Sequence, residues 1–460
     1  MADMISAKMD EVGFAPAAAS ADAPWPGKRS SLYTIFVFAI VVMFTVIDRQ
    51  VLGLMIEPIK HDFQISDTKA ALLLGAAFSL TYAIAGLPIA RIADRANRRN
   101  LIAICLASWS AATVACGFAQ NYPQLFLARL GIGVGEAGYA PAVWSTVTDS
   151  FPREKVAFAT GSIAIGGHLG TGLALVVGGS VFGIVSQWPP TDLPFVGVMR
   201  PWQWVFVIVG APGILWALMV MTLREPPRRG LARTARASVP AMDVVRYMAR
   251  DWRTYTAIIG GMAIKSLMGV GNAQWIPTLF YREYGWSLAK IGLSQGAIVM
   301  AIGPIGLILG GKLSQWLHRR GMGDADMRIV FYASCATFPI SIMLPLAGNP
   351  IFALVLFGIN TLIGSLAYGP GTAAFQLITP NRMRAQVSAV YMFCYNVVGF
   401  AFGPLVVALF TDYLFNDPQD LKYSMALCTA ILGPIAFLVT LQGLKPYARS
   451  YARSVREAGG

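Results

Sequence analysis

The sequence predicts an all-α membrane protein with twelve transmembrane helices in two pseudo-symmetric six-helix bundles. Three observations support this class. Hydrophobic residues make up 56% of the 460 positions and charged residues only 13%, a balance that suits a multi-pass membrane protein better than a single soluble domain. Apolar runs of spanning length recur along the chain, and the longest hydrophilic interruption falls near its middle.

Twelve apolar runs are long enough to cross a bilayer as helices, which takes about 20 residues. The first six cover residues 32–57, 69–92, 100–118, 123–150, 155–184 and 201–223. The last six cover residues 254–281, 288–317, 328–347, 350–378, 384–411 and 422–443. The midpoint interruption therefore divides the spans six and six.

The segments outside and between the runs complete the predicted domain plan. We expect a disordered cytoplasmic tail (1–30), an N-terminal bundle (31–223), a cytoplasmic linker (224–253), a C-terminal bundle (254–444) and a cytoplasmic tail (445–460). The first tail is rich in Ala and Pro and lacks the apolar segment of a signal peptide. Within the linker, residues 241–252 mix apolar and basic side chains at helical spacing. Two interpretations of this segment remain open, an interfacial helix and a plain linker.

The distribution of the 36 lysines and arginines predicts the orientation. With the N-terminus inside, 27 of them fall in inner segments, 6 in outer loops and 3 within spans. Cytoplasmic segments of membrane proteins carry such an excess of positive charge. We therefore expect a protein of the cell inner membrane with both termini in the cytoplasm.

The two halves of the chain repeat at a steady offset. Residues 135–141 in the fourth span match residues 364–370 in the tenth, and Glu136 aligns with Ser365. Repeated halves suit alternating access, in which two bundles rock around a site near the membrane midplane. Because the carboxylate of the first half has no counterpart in the second, we expect any proton coupling to lie in the N-terminal half.

The loop after the second span carries a motif. Residues 90–99 read ARIADRANRR, which resembles the inner-loop signature GxxxD(R/K)xGR(R/K) of the major facilitator superfamily, with Asn97 in the second glycine place. Asparagine tolerates the left-handed turn that glycine would make. The resemblance implies the major facilitator fold and a charged latch of Asp94, Arg95 and Arg98 between spans two and eleven, favouring the outward-facing state. A merely basic loop is the alternative.

Two further segments resemble one family within the superfamily. RLGIGVGEAGY at residues 129–139 is similar to the fourth span of the spinster family, and the pair at residues 48–49 to its Asp-Arg pair in span one. The resemblance implies a bacterial homologue of carriers linked to sphingosine-1-phosphate and lysophospholipid transport, for some of which proton coupling is proposed. Thr45, Val46 and His168 depart from the family pattern, and these departures bear on the substrate.

Charged residues within spans are costly, about 2.5 to 3.5 kcal/mol each near the membrane centre. In the superfamily fold, spans one and four line the transport cavity together, so Arg129 can pair with Asp48, and Glu136 can meet Arg49 through a rotamer change or water. Because an arginine that approaches or leaves a carboxylate changes its affinity for a proton, we expect Glu136 to carry the coupled proton. Fixed ion pairs that only specify helix packing are the alternative.

His168 is placed by counting at the depth of Glu136 on the neighbouring span. It can relay a proton or only hydrogen-bond a nearby backbone group, and both readings stay open. Other polar residues are candidates for the substrate cavity, each with interhelical hydrogen bonding as its alternative. These candidates are Tyr139, Lys265, Asn272, Gln274, Asn360, Ser365 and Tyr368.

Three cationic and two anionic side chains within the spans leave a net charge of plus one, which suits an anionic head group with an apolar tail. We therefore predict a monomeric, proton-coupled secondary transporter of lysophospholipid or sphingolipid-phosphate type substrates. A carrier of small organic anions or drugs is the second hypothesis, and a non-transporting receptor or scaffold the third. The basic residues are too dispersed for nucleic-acid binding.

An enzyme or nucleotide-driven pump is the competing class, and the sequence disfavours it. Residues 306–313 fit GxxxxGK but place leucine where Ser or Thr must hold magnesium. The three histidines are far apart, and the five cysteines lack metal-ligand spacing. We expect no cofactor, no metal and no catalytic residues.

Overall fold

The computed structural model describes residues 25–93, 95–189, 191–194, 197–228, 240–380 and 383–459. Most of the predicted tail at 1–30 and part of the linker at 224–253 lie outside these ranges. The chain divides into two compact units. The first unit contains the described residues of Met1–Gln64, Ala77–Ala237 and Ser287–Gly296, and the second those of Ile65–Ala76, Ser238–Trp286 and Ala297–Gly460.

The first half of the chain forms helices and one short hairpin. In chain order they are α1 (Lys28–Phe63), α2 (Asp67–Ala71), π1 (Leu72–Ala76), α3 (Ala77–Ala93), α4 (Arg98–Gly117), α5 (Tyr122–Glu136), α6 (Tyr139–Ser150), α7 (Arg153–Val185), β1 (Thr191–Leu193), β2 (Gly197–Met199) and α8 (Pro201–Met221). The strands pair antiparallel, with Asp192 opposite Val198. Gly197 has a φ of 87°, a conformation that glycine adopts without strain.

In the second half, every regular element within the described ranges is a helix. They are α9 (Ala241–Arg250), α10 (Trp252–Tyr255), π2 (Thr256–Gly260), α11 (Gly261–Tyr284), α12 (Leu288–Arg319), α13 (Ala325–Met343), α14 (Pro350–Ile378), α15 (Arg384–Asn396), π3 (Val397–Phe402), α16 (Gly403–Leu409), π4 (Phe410–Phe415), a 3₁₀ turn (Pro418–Asp420) and α17 (Leu421–Gly459). α17 therefore continues through most of the predicted C-terminal tail.

Each of the twelve predicted spans coincides with a helix or with consecutive helical segments. In the part of the chain that the structure describes, nine helices are long and apolar enough to cross a membrane. The helices of the fourth, seventh and ninth predicted spans are not among these nine. At the N-terminus, α1 begins at Lys28, inside the segment that the sequence assigns to the tail.

The fourth predicted span is not one continuous helix. The sequence predicts a single helix over 123–150, but the chain turns at Ala137 and Gly138, between α5 and α6. Pro141 explains this difference, because proline has no N–H to donate to the carbonyl of Ala137, one helical turn earlier. Glu136 is consequently the last residue of α5.

Glycines allow α5 to approach its neighbours closely. A Cβ added at Gly133 would lie 2.6 Å from the carbonyl oxygen of Phe78 on α3, and one at Gly135 would lie 2.9 Å from the backbone nitrogen of Trp109 on α4. Side chains at these positions would force the helices apart. The two approaches hold the end of α5 that carries Glu136 against α3 and α4.

Polar contacts attach α2 and π1 to the second unit. Arg282, near the end of α11, donates to both carboxylate oxygens of Asp67, at 2.7 and 2.9 Å. Asp412 accepts a hydrogen bond of 2.6 Å from the backbone N–H of Thr68. These contacts explain why the segment from Ile65 to Ala76 groups with the second unit, although it directly precedes α3.

Candidate functional site

The charged centre of the first unit is an ion pair between Arg49 and Glu136. Glu136 is completely buried at the end of α5, and Arg49 projects from α1 with 16% of its side chain exposed. The sequence predicts that these residues meet through a rotamer change or water, and the structure joins them directly. A buried carboxylate is thereby compensated by a guanidinium.

A second arginine lies beside the same pair of residues on α1. Arg129, which is completely buried, donates a hydrogen bond of 3.2 Å to the backbone carbonyl of Asp48. The sequence predicts that Arg129 pairs with Asp48, and the structure brings these residues together through this hydrogen bond and through the electrostatic attraction between their side chains. The carboxyl of Asp48 is itself buried and interacts with the side chain of Thr113 on α4.

Aromatic residues of α3 complete this centre, and the sequence analysis missed them. The guanidinium carbon of Arg49 lies 4.2 Å from the ring centroid of Phe78, and that of Arg129 lies 6.0 Å from the same centroid. An aromatic face attracts a cation at such distances. Tyr82, one turn further along α3, is close enough to Arg49 and Glu136 to interact electrostatically. A pair of aromatics four residues apart on one span was the available signal.

Tyr139 and His168 lie on helices next to this centre. The ring of Tyr139, at the start of α6, packs edge-on against Trp109 at 5.6 Å between centroids, and the tyrosine interacts electrostatically with Arg49. His168 is half-buried on α7. Its role as a proton relay stays a prediction.

The inner-loop motif builds a separate polar cluster in the first unit. Arg98 is completely buried at the start of α4. Its guanidinium forms ion pairs with Asp149, at the end of α6, and with Glu225, just after α8, and it donates to the backbone carbonyl of Pro226 at 2.8 Å. Arg98 therefore ties together three segments of this unit.

The resemblance also implies a latch to the eleventh span, which stays a prediction. The described carboxylate partners of Arg98 lie near the ends of α6 and α8. Arg95 is exposed, and Asp94 lies outside the described residues. Asn97 has φ −65° and ψ 113°, so the expected left-handed turn is wrong. Its side chain instead accepts a hydrogen bond from the backbone of Asn100, because asparagine caps helix N-termini well.

Three of the candidate cavity residues of the second unit lie on α11. The Nζ atom of Lys265 is buried and has no hydrogen-bond partner among the described residues. Asn272 is buried and donates to the hydroxyl of Thr429 at 2.9 Å, which is the interhelical bond that its alternative interpretation predicts. Gln274 is buried as well.

The remaining candidates lie on α14. The amide oxygen of Asn360 accepts a long hydrogen bond, 3.4 Å, from Ser341 on α13. Ser365 is buried and lies where Gly306 of α12 approaches α14. Tyr368 differs from both because 41% of it is exposed. In chemical terms, Lys265 supplies a cation and Tyr368 a hydroxyl.

The site chemistry is that of compensated charges within long apolar helices. Within the described ranges, no group of three or more His, Cys, Asp or Glu side chains is arranged to hold a metal ion. The arrangement around Glu136 can hold or release one proton as Arg49 moves, since a neighbouring cation favours the ionised carboxylate.

Comparisons with known proteins identify the family. Residues 38–404 match the family model of the Major Facilitator Superfamily. An MFS-type efflux pump of Mycolicibacterium smegmatis is 29% identical over 402 residues, 85% of this chain and 87% of that protein. A probable L-galactonate transporter of Escherichia coli is 23% identical, over 89% of this chain and 88% of that protein. The sphingosine-1-phosphate transporter SPNS2 of Xenopus tropicalis is 22% identical, over 91% and 83%.

Comparison with a solved structure supports the same family. A bacterial homologue of the human lysosomal transporter spinster, in an inward-facing and unoccupied conformation, matches with a TM-score of 0.75 and 25% identity, over 93% of this chain and 99% of that one. The predicted fold class and the resemblance to spinster proteins are confirmed. This chain is a multi-pass integral membrane protein that belongs to the Major Facilitator Superfamily of transporters and has spinster proteins among its relatives.

Proposed function

We propose that this protein is a proton-coupled secondary transporter that moves an amphipathic anionic lipid by alternating access. The observation that carries the proposal is the buried ion pair of Arg49 and Glu136. A carboxylate inside membrane-spanning helices stays ionised while the guanidinium contacts it and takes up a proton when the guanidinium leaves. The pair thus has two protonation states, which a transport cycle can use.

The proposed substrate is a single-tailed lipid with a phosphate, of lysophospholipid or sphingolipid-phosphate type. Lys265 supports this class, because a buried ammonium group without a described partner suits an anionic head group. The relationship to a sphingosine-1-phosphate transporter supports it too. We propose that Tyr139, Asn272, Gln274, Asn360, Ser365 and Tyr368 supply further substrate contacts.

A carrier of small organic anions or drugs is the second candidate. The relationships to a probable L-galactonate transporter and to an efflux pump favour it. A sugar acid would use the same cationic side chains through its carboxylate. Uptake of radiolabelled lysophosphatidate and of galactonate into the same proteoliposomes separates the two candidates. Flux of neither would favour a receptor or scaffold.

We further propose that the protein lies in the cell inner membrane as a monomer, with both termini in the cytoplasm, and that it catalyses no covalent reaction. The excess of lysine and arginine in alternate loops supports this orientation. The network of Arg98 is proposed to stabilise the inner side of the first unit.

Replacement of Glu136 by glutamine tests the coupling. In proteoliposomes with an imposed proton gradient, we expect E136Q to lose accumulation of substrate against its gradient and to keep downhill exchange, because glutamine cannot exchange a proton. E283Q is the matched control, since Glu283 is a partly exposed carboxylate that pairs with Lys422. Unchanged uphill transport by E136Q would remove Glu136 from the mechanism.

A further inference from the structure

Helix α9 has one face that is fixed to the second unit. Val244 is 3% exposed and belongs to the hydrophobic core of that unit, and Met248 packs against the same core. The hydroxyl of Tyr247 donates a hydrogen bond of 3.0 Å to the backbone carbonyl of Ile378, at the end of α14. These contacts hold α9 in a defined orientation.

The opposite face presents large apolar side chains to the surroundings. Met242 is 60% exposed, Val245 58% and Trp252, just after the helix, 57%. The spacing of three residues puts Met242 and Val245 along one side of α9, and Trp252 follows shortly after the helix ends at Arg250. A soluble surface rarely concentrates such side chains without a partner.

Arginines flank these apolar side chains. Arg246, Arg250 and Arg253 are all exposed, and Arg253 lies 5.5 Å from the ring centroid of Trp252. Of the two acidic residues in the segment, Asp251 forms an ion pair with Arg453 of α17. Asp243 lies 3.3 Å from Arg246. The accessible charge of this face is therefore positive.

We propose that the α9 stripe, formed by Met242, Val245, Arg246, Arg250, Trp252 and Arg253, binds anionic phospholipid head groups at the membrane surface. The apolar side chains enter the boundary between head groups and acyl chains, and the arginines contact lipid phosphates. This inference does not depend on the proposed substrate or on proton coupling.

The position of the stripe favours lipid over a protein partner. α9 leads through α10 and π2 directly into α11, and together they form the seventh predicted span. The end of the stripe at Trp252 and Arg253 therefore lies next to residue 254, where the predicted span begins. Tryptophan and arginine are the residues that such an interface prefers.

Hydrogen exchange on the full-length protein tests the proposal. Nanodiscs of phosphatidylcholine alone are compared with nanodiscs that also contain phosphatidylglycerol, and exchange is followed in the peptide covering α9. We expect anionic lipid to slow exchange roughly fivefold for each engaged arginine. R246Q/R250Q should remove that lipid dependence, and M242S/V245S should speed exchange in both lipids.

A matched pair of substitutions controls for charge. R319Q/R320Q removes two exposed arginines at the end of α12 and should leave the lipid dependence of α9 intact. Equal exchange of the wild-type peptide in both lipids would overturn the proposal, as would an equal loss in R319Q/R320Q. Protection by added polyglutamate without any effect of phosphatidylglycerol would assign the stripe to an acidic protein and likewise overturn it.

Discussion

Buried arginines in the first unit are stabilised by different kinds of partner. Arg98 contacts two carboxylates and a backbone carbonyl, so its charge is compensated by several fixed groups. Arg49 pairs with the carboxylate of Glu136 and lies against an aromatic ring. Part of the Arg49 side chain stays exposed, whereas that of Arg98 is fully buried. The arrangement of Arg98 suits a structural role and that of Arg49 a role in switching.

Substitution of Arg98 should be strongly destabilising. R98Q leaves the carboxylates of Asp149 and Glu225 without their guanidinium, and loss of one partner from a buried ion pair costs about 3 to 5 kcal/mol. We expect a clearly lower midpoint of thermal unfolding in detergent. R95Q is the control, because Arg95 is exposed and surface substitutions change stability by about 0.5 kcal/mol or less. Similar midpoints for the two variants would contradict this account of Arg98.

At the residue scale, the sequence identifies the charged residues within the spans more readily than the residues that contact them. Glu136 and Arg49 stand out because ionised groups in apolar spans need partners. Phe78 and Thr113 are uncharged and give a much weaker signal, since aromatic and hydroxyl residues are common in membrane helices. A main-chain carbonyl accepts a hydrogen bond from Arg129, and no side-chain pattern identifies a particular backbone atom.

At the scale of elements, glycine spacing positions α5. Gly133 and Gly135 let this helix contact the backbones of α3 and α4, and Glu136 follows directly. This packing fixes the end of α5 that carries Glu136, whose carboxylate pairs with Arg49 of α1. Packing of small residues thus helps to position the charged site.

Alanine substitutions on α5 test this packing. G133A would place a methyl group against Thr81 and the carbonyl of Phe78, and we expect it to destabilise the protein by about 1 to 3 kcal/mol and to weaken transport. G131A is the control on the same helix, because its added Cβ would come no nearer than 3.4 Å to Ala112. Thermal unfolding of both variants measures the difference. An equally stable G133A would show that α5 can shift without cost.

Hydropathy predicted where the helical segments lie, but it did not predict the division of the fourth span. Long apolar runs identify spans because the bilayer requires them. Gly138 and Pro141 hardly change the mean hydropathy of the fourth run. Their backbone chemistry was nevertheless readable. The grouping of α2 with the second unit was harder to predict from the sequence. Asp67 and Arg282 are 215 positions apart, and each resembles an ordinary charged residue of a loop.

At the scale of the whole molecule, the chain combines repeated halves with a strong bias of basic residues. The repeat between residues 135–141 and 364–370 is a property that composition alone would not reveal, and it agrees with membership of a superfamily built from two halves. The repeat does not identify the exact substrate, because substrate choice depends on a few side chains whose neighbours come from distant segments.

Reporter fusions test the proposed orientation. A green fluorescent protein fused to the C-terminus should fluoresce and alkaline phosphatase fused there should be inactive, because both report a cytoplasmic location. Alkaline phosphatase inserted at Gly348, in a predicted outer loop, should be active. The physical reason is the retention of lysine- and arginine-rich segments on the cytoplasmic side. An active phosphatase at the C-terminus would reverse the orientation.

The turn between α5 and α6 has a mechanical consequence. Since Pro141 offers no N–H to the carbonyl of Ala137, the backbone ladder lacks one bond at this joint, and tilting α6 there costs less than bending an intact helix. Glu136 is the last residue before the joint. A modest angular movement at this joint would alter the gap between its carboxylate and Arg49 while both flanking helices stay intact.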